Sequence, residues 1–319
     1  MKSFVMGEAV KQKPRRALRI VIWLFALYAL GCIVAGIALA ELSLHLHKLP
    51  LGDASAYRAR ILQQFHAQVE DVSIAAADHA VLKAWFIQPQ NNNGKAVIIL
   101  HGVTANRVGS AGYSEMFLNR GYSVLLPDSR EHGESGGNIA TYGVLEKGDV
   151  GRWVTWVRGR APGCTYLLGE SMGAAIGLQA TAVAPQLCAV AVESPYSTFR
   201  EISYERLGRP THLGPLFWRT IGRPILEVAI VYTRIRYGVY LPDADPKAAV
   251  EKSRVPSLLI AGTIGQNIPM HHAQELEAAC PTHCTLWIVP GADHAGASSV
   301  AHAEFERRVL NWFDEHCEP

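Results

Sequence analysis

The sequence predicts an α/β fold: a mostly parallel central sheet with helices on both faces. Two observations carry this. From residue 69 onward, short apolar runs of strand length alternate with longer helical patterns, the order of repeated β/α units. In addition, Gly169-Glu170-Ser171-Met172-Gly173, a G-x-S-x-G, lies between the apolar run Tyr166-Leu167-Leu168 and an Ala-rich run from Ala174 to Ala184. A strand, a sharp turn and a helix are expected there. Small residues let the backbone pack closely and hold Ser171 exposed at the turn. The helix N-terminus behind it favours developing negative charge.

The elements follow in order. Residues 1–19 form a basic leader with Lys2, Lys11, Lys13, Arg15, Arg16 and Arg19. The uncharged run 20–40, Ile20 to Ala40, is long enough to cross a bilayer as a helix. The basic flank predicts a single-pass membrane protein, with its N-terminus in the cytoplasm and the rest on the far side. Ala38-Leu39-Ala40 is A-x-A-like, so a cleaved signal peptide is the rival. The apolar run exceeds a usual h-region of about 7–15 residues, which favours an uncleaved anchor. Residues 41–68 read as a helical linker and 69–319 as the main domain.

That domain opens with strands Val69–Ile74 and Val81–Gln88, a turn at Asn91-Asn92-Asn93-Gly94, and a third strand Lys95–Leu100. A helix is predicted over Gly112–Arg120 and a fourth strand over Tyr122–Pro127. Glu146–Arg158 reads as a helix, with Val150, Trp153, Val154 and Val157 on one face at i, i+3, i+4, i+7. The fifth strand leads to Ser171, and the sixth, from Ala189, ends at Glu193. A helix-rich insertion over about 195–249 reads as a cap. Ser257–Ala261 is the seventh strand, Leu286–Val289 the eighth, and Val300–His316 a closing helix.

Composition bounds the function. The 319 residues suffice for one large domain and an appendage, and 49% apolar content suffices for its core. A formal net charge of +2 gives no reason to expect a nucleic-acid partner. No P-loop, dinucleotide fingerprint or internal repeat is present, so no cofactor is implied. Cys32 lies in the membrane run. Cys164 and Cys188 precede neighbouring strands and could approach each other. Cys280-Pro281-Thr282-His283-Cys284 could form a local bridge. Zinc is disfavoured there, because no second ligand pair is spaced from that cluster, and no metal is expected. Free buried thiols remain open for all five cysteines outside the membrane run.

Ser171 needs a base and two oxyanion donors to act as a nucleophile. The Met172 amide follows the nucleophile. The Val103 amide lies in His101-Gly102-Val103-Thr104-Ala105-Asn106, just after the third strand. His294, in Pro290-Gly291-Ala292-Asp293-His294, follows the eighth strand and is the candidate base among thirteen histidines. The order Ser…acid…His fits this arrangement.

Together these motifs resemble the α/β-hydrolase superfamily over about residues 70–316. The likeness is to serine-aminopeptidase-like and membrane-anchored hydrolases of the lysophospholipase-like or acylaminoacyl-peptidase-like kind. It is carried by His101-Gly102, by Asp128-Ser129-Arg130-Glu131-His132-Gly133-Glu134-Ser135-Gly136 (the D-x-R-x-H-G-x-S-x-G pattern), by the elbow and by Ala292-Asp293-His294. The resemblance implies an α/β-hydrolase fold with a cap over the active site and a small-molecule or lipid-like acyl substrate. It implies attack by Ser171 on an ester, thioester or amide, with His294 moving the proton, and structural roles for His101 and His132. The cap carries many aromatics and arginines, Arg206 and Arg209 among them. These arginines could meet anionic headgroups, or a carboxylate or phosphate on a substrate; the other reading is a solvated cap surface over buried aromatics.

The acid departs from the pattern. Relatives carry G-x-x-D-x-x-[VI]-P after the seventh strand. Here Gly262 and Pro269 align, and Gly265 occupies the acid position. Three readings stay open: a severely weakened hydrolase, a hydrolase whose acid is Glu193, or a non-catalytic binding or interaction protein on the same fold. Asp293 adjoins His294, but sequence neighbours rarely face one another.

Overall fold

A computed structural model describes residues 12–317. The leader residues 1–11, with Lys2 and Lys11, lie outside the described residues. In chain order the elements are α1 (Gln12–Leu44), α2 (Ser55–Phe65), β1 (Val69–Ala75), β2 (Val81–Ile87), β3 (Ala96–Leu100), α3 (Arg107–Ser110), α4 (Ser114–Leu118) and β4 (Ser123–Pro127). Then come α5 (Glu146–Arg158), β5 (Thr165–Glu170), α6 (Met172–Ala180), β6 (Ala189–Glu193), α7 (Phe199–Thr211), α8 (Gly214–Arg219) and α9 (Arg223–Tyr237). The chain closes with α10 (Pro246–Lys252), β7 (Ser257–Gly262), α11 (His271–Ala279), β8 (Cys284–Val289), α12 (Ala297–Val300) and α13 (His302–Glu315).

The strands form one sheet in the order β1-β2-β4-β3-β5-β6-β7-β8. β1 pairs antiparallel with β2, and β2 with β4. Every pairing from β4 to β8 is parallel. A parallel sheet must be covered on both faces, so its strands read as continuous apolar runs. β3, β4, β6 and β7 are buried at every position. One face packs Val150, Trp153, Val154 and Val157 of α5 with Ile176 and Leu178 of α6, the stripe the sequence predicts. The other packs Ile61 of α2, Phe117 of α4 and Phe305, Val309 and Phe313 of α13. Phe313 stacks on Tyr166 at 4.5 Å between ring centroids.

Four expectations are revised. The predicted helix over Gly112–Arg120 is broken into α3, a 3-10 turn and α4. It starts early because the Asn106 side chain accepts the Val108 N–H, an N-cap. It ends at Gly121, whose positive φ and close approach to the Asn91 carbonyl suit only glycine. The 41–68 segment is not one helical linker. α1 runs on to Leu44, an irregular stretch containing Pro50 and Gly52 follows, and α2 packs Ile61 into the core. Within the insertion only α7–α9 form the cap; α10 lies against α6 and α11. Finally, Cys164 is disulfide-bonded to Cys317, not to Cys188, because α13 brings the C-terminus back beside β5. Cys280 pairs with Cys284 as the local bridge, and Cys188 and Cys32 are free thiols.

Candidate active site

Ser171 sits between β5 and α6 with φ 53° and ψ −116°. A non-glycine residue held there costs on the order of 1–3 kcal/mol and persists only when its surroundings impose it. Two glycines impose it by close packing. A Cβ on Gly169 would lie 2.6 Å from the Gly173 carbonyl oxygen, and one on Gly173 would lie 2.5 Å from that of Leu100. The Ser171 N–H is fixed by the Glu193 carbonyl at 2.9 Å.

The turn points the hydroxyl at the base. His294 Nε2 lies 2.9 Å from Ser171 Oγ. The two are 123 positions apart in sequence and meet because β5 and β8 end at the same edge of a parallel sheet. Burial pushes the His294 pKa below its ordinary value, and the positive charge of Arg206 pushes it further down. Val103 and Met172 line one cavity with Ser171. The Met172 amide is the first of α6, where helix geometry offers no intrahelical partner.

His294 Nδ1 is buried and has no hydrogen-bond partner among the described residues. The β7 loop lies beside it. Ile264 N–H donates to the Ala292 carbonyl at 2.9 Å, and Gln266 N–H to Asp293 Oδ1 at 3.4 Å. Gly265, the vacated acid position, thus sits on the loop adjoining the base but brings no side chain to it. Asp293 Oδ1 also accepts the backbone N–H of His294 at 2.7 Å.

The structure does not join Glu193 to His294. Glu193 Oε1 accepts the Ala297 N–H at 2.6 Å, at the start of α12, and Oε2 is buried without a partner. Burial raises the Glu193 pKa to about 7, and the neighbouring Glu170 charge adds to the rise.

The D-x-R-x-H-G-x-S-x-G stretch braces the loop after β3. Asp128 accepts the Arg107 and Glu134 N–H groups, each at 2.8 Å. Arg130 makes a bidentate pair with Asp149 at 2.8 Å. His132 Nε2 accepts the Thr104 N–H at 3.2 Å, and His101 Nε2 the Ser129 N–H at 3.0 Å. Burial lowers the His101 pKa to about 3, so it stays neutral, as a structural histidine should. A second His cluster ties the cap to the molecule: Glu205 of α7 meets His271 and His272 of α11 at 3.2 and 3.1 Å. Its residue types could hold a metal. However, His272 Nδ1 accepts the Ser197 N–H at 3.2 Å, which leaves the ring proton on Nε2, facing Glu205. This is the geometry of a hydrogen-bonded clasp.

The cavity at Ser171 has a volume of about 380 Å³. Its walls are apolar side chains of the cap and of Ile268, with Tyr142 and Tyr196, and Arg206 is the single charged residue lining it among the described residues. Leu39, Ser43 and Leu46, at and beyond the end of the apolar run, also line it. Sequence reasoning counted Arg206 among many cap arginines and gave no sign of the α1 contribution.

A model of the alpha/beta hydrolase family matches residues 97–308. Among curated proteins the chain is 27% identical over 240 residues to YqkD of Bacillus subtilis, an uncharacterized protein, covering 73% of this chain and 75% of that one. It is 25% identical over 228 residues to the uncharacterized Rv2307c of Mycobacterium tuberculosis, covering 70% and 72%. Among solved structures, the esterase Pf2001 of Pyrococcus furiosus superposes with a TM-score of 0.67 at 22% identity, over 86% of this chain and 97% of that one. The acylaminoacyl peptidase of Pyrococcus horikoshii gives 0.61 at 14% identity, over 82% of this chain but 43% of its own.

Proposed function

Because the chain belongs to the alpha/beta hydrolase family, we propose that it is a membrane-anchored serine hydrolase acting on an acyl ester, thioester or amide. The observation that carries this is the 2.9 Å approach of His294 Nε2 to Ser171 Oγ at a strained elbow. Ser171 attacks the acyl carbonyl. His294 takes its proton and returns it to the leaving group. The Val103 and Met172 amides receive the oxyanion, a contribution that typically amounts to about 3–4 kcal/mol per donor.

Gly265 lowers the rate. The imidazolium formed in the transition state has no hydrogen-bonded carboxylate. In a related triad, loss of that charge costs about ten-thousand-fold in turnover. Hydrolysis of an activated ester by full-length protein in detergent tests the reading. Ser171→Ala and His294→Ala should each abolish it, since the pair acts as a unit. Activity surviving Ser171→Ala would place the chemistry elsewhere.

A second reading, a binding or interaction protein that has given up turnover, is favoured by one observation: the partnerless, buried Nδ1 of His294. It predicts no hydrolysis and no labelling of Ser171 by a fluorophosphonate.

The anchor reading rests on a helix whose segment Arg15–Leu44 is long and apolar enough to cross a membrane. The basic flank favours a cytoplasmic N-terminus. The two disulfides favour an oxidising far side for the hydrolase domain. A C-terminal reporter active only in the cytoplasm should stay silent; strong signal would overturn this topology.

A further inference from the structure

We infer that the Ser171 cavity takes a single-chain acyl amphiphile with an anionic group, drawn from the bilayer along α1 and recognised by Arg206. This rests on the reading of the Ser171 cavity as an acyl pocket, and it adds the class of compound the pocket takes.

First, the second half of α1, from Tyr28 onward, is docked on the cap. Tyr28 hydroxyl donates to the Ile221 carbonyl at 2.5 Å, near the start of α9. Tyr232 and Tyr237, near its end, donate to Glu41 at 2.5 and 2.8 Å. Between them Gly36 lies so close to α9 that a Cβ would sit 2.6 Å from Val228. The two helices therefore run side by side in the same direction. Cys32, Gly36 and Ala40 form the buried seam, at i, i+4, i+8, the small-residue pattern that lets membrane helices approach.

Second, the end of α1 walls the pocket. Leu39, Ser43 and Leu46 line the same cavity as Ser171. Tyr142, also in the lining, donates its hydroxyl to the Ser43 carbonyl at 2.5 Å. These residues stand where the apolar run ends, so a spanning α1 would set the cavity at the bilayer surface. The cap also exposes apolar side chains: Leu216 of α8 is 75% exposed, and Ile235 of α9, the helix packed on α1, is 80% exposed. Exposed apolar side chains on a cap packed against an apolar helix fit contact with acyl chains.

Third, Arg206 brings one positive charge into an otherwise uncharged lining. It has no carboxylate within ion-pair distance among the described residues, whereas Arg200 and Arg219 of the cap are paired with Glu227 and Glu201. Its neighbour Arg209 is bonded to Asn267 on the β7 loop. Arg206 is solvent-exposed, lines an apolar pocket and has no protein carboxylate beside it among the described residues, so its guanidinium is free to pair with a carboxylate or phosphate carried on the acyl compound.

The test uses full-length Ser171→Ala protein in nanodiscs, so binding is read without turnover. A fluorescent dodecanoyl probe is displaced by 1-dodecanoylglycerol 3-phosphate, by N-dodecanoylglycine and by neutral 1-dodecanoylglycerol. The anionic competitors should win by about tenfold or more, and the better of the two says whether phosphate or carboxylate is preferred. Arg206→Gln should erase the preference and Arg206→Lys should keep part of it. Leu39→Trp, which fills the α1 wall, should weaken all three. Equal displacement by neutral and anionic compounds, an unchanged preference in Arg206→Gln, or no displacement overturns the inference. Fluorophosphonate labelling of the Ser171-containing parent separates the two claims. Labelling without anion preference sinks this one alone. Anion preference without labelling sinks the hydrolase reading and leaves this one standing.

Discussion

When His294 Nε2 accepts the Ser171 proton, the neutral ring carries its own proton on Nδ1. That N–H is buried without an acceptor among the described residues, which costs on the order of 1–3 kcal/mol. A carboxylate there would remove this cost and stabilise the imidazolium. The φ of Gly265 is not in the left-handed region, and a Cβ there would press on the Ile268 carbonyl oxygen at 3.3 Å, so the loop must give by a few tenths of an ångström to accept a side chain. Gly265→Asp should therefore raise kcat/KM on an activated ester, by up to about ten-thousand-fold if the carboxylate reaches Nδ1. Glu193→Gln should leave that rate nearly unchanged, because the Glu193 side chain faces Ala297. A large loss of rate in Glu193→Gln would reinstate it as the acid. The same variant has a stability signature. Glu193 titrates near 7 when folded, above its ordinary 4.5. Its protonated form thus favours the folded state, and that stability is lost as pH rises from about 4.5 through 7. Unfolding measured across this range should fall less steeply in Glu193→Gln than in the parent; parallel curves would count against a buried, raised carboxyl.

His294 must be neutral to take a proton, so activity rises with pH through its pKa. Burial and the Arg206 charge hold that pKa below the ordinary imidazole value. Arg206→Gln should move the acid limb of the kcat/KM profile to higher pH, and an unmoved limb would show that Arg206 does not bear on His294. That Ser171, Met172, Val103 and His294 come together was legible in the sequence because each follows a named strand. The partnerless Nδ1 was not, since it depends on where a neighbouring loop places its atoms.

Among the elements, α1 was the least legible in its role. Hydropathy marks a span but is nearly uniform around the helix, so it hides the seam of Cys32, Gly36 and Ala40 that meets α9. Gly36→Leu should prise the two helices apart without affecting membrane insertion, and trypsin should then cut α8–α9 faster. Unchanged cleavage would mean that α1 is a mere tether. Helix α5, by contrast, was legible to the residue, because its apolar stripe keeps a strict 3.6 period. The partner of Cys164 was not legible: neighbouring strands offered Cys188 as one possibility, while α13 delivers Cys317. The Cys164–Cys317 bridge closes a separation of 153 residues and the Cys280–Cys284 bridge one of 4. In the chain-entropy account the long closure contributes more, so Cys317→Ser should cost about 2–5 kcal/mol by chemical denaturation and Cys284→Ser less.

At the scale of the molecule, the site lies where a parallel sheet puts it. Val103, Ser171, Gly265 and His294 follow β3, β5, β7 and β8, so strands far apart in sequence present their loops at one carboxyl edge. Alternating strands and helices made this architecture readable. What joins the sheet, the cap and α1 around one cavity was not readable, because that depends on packing between segments about 190 residues apart.

The most direct measurement is covalent. Full-length protein in its membrane is treated with a fluorophosphonate, and the adduct is mapped by mass spectrometry. A single adduct on Ser171, absent from Ser171→Ala and strongly reduced in His294→Ala, is the predicted result. No adduct on folded protein, or one that persists in Ser171→Ala, would contradict the account.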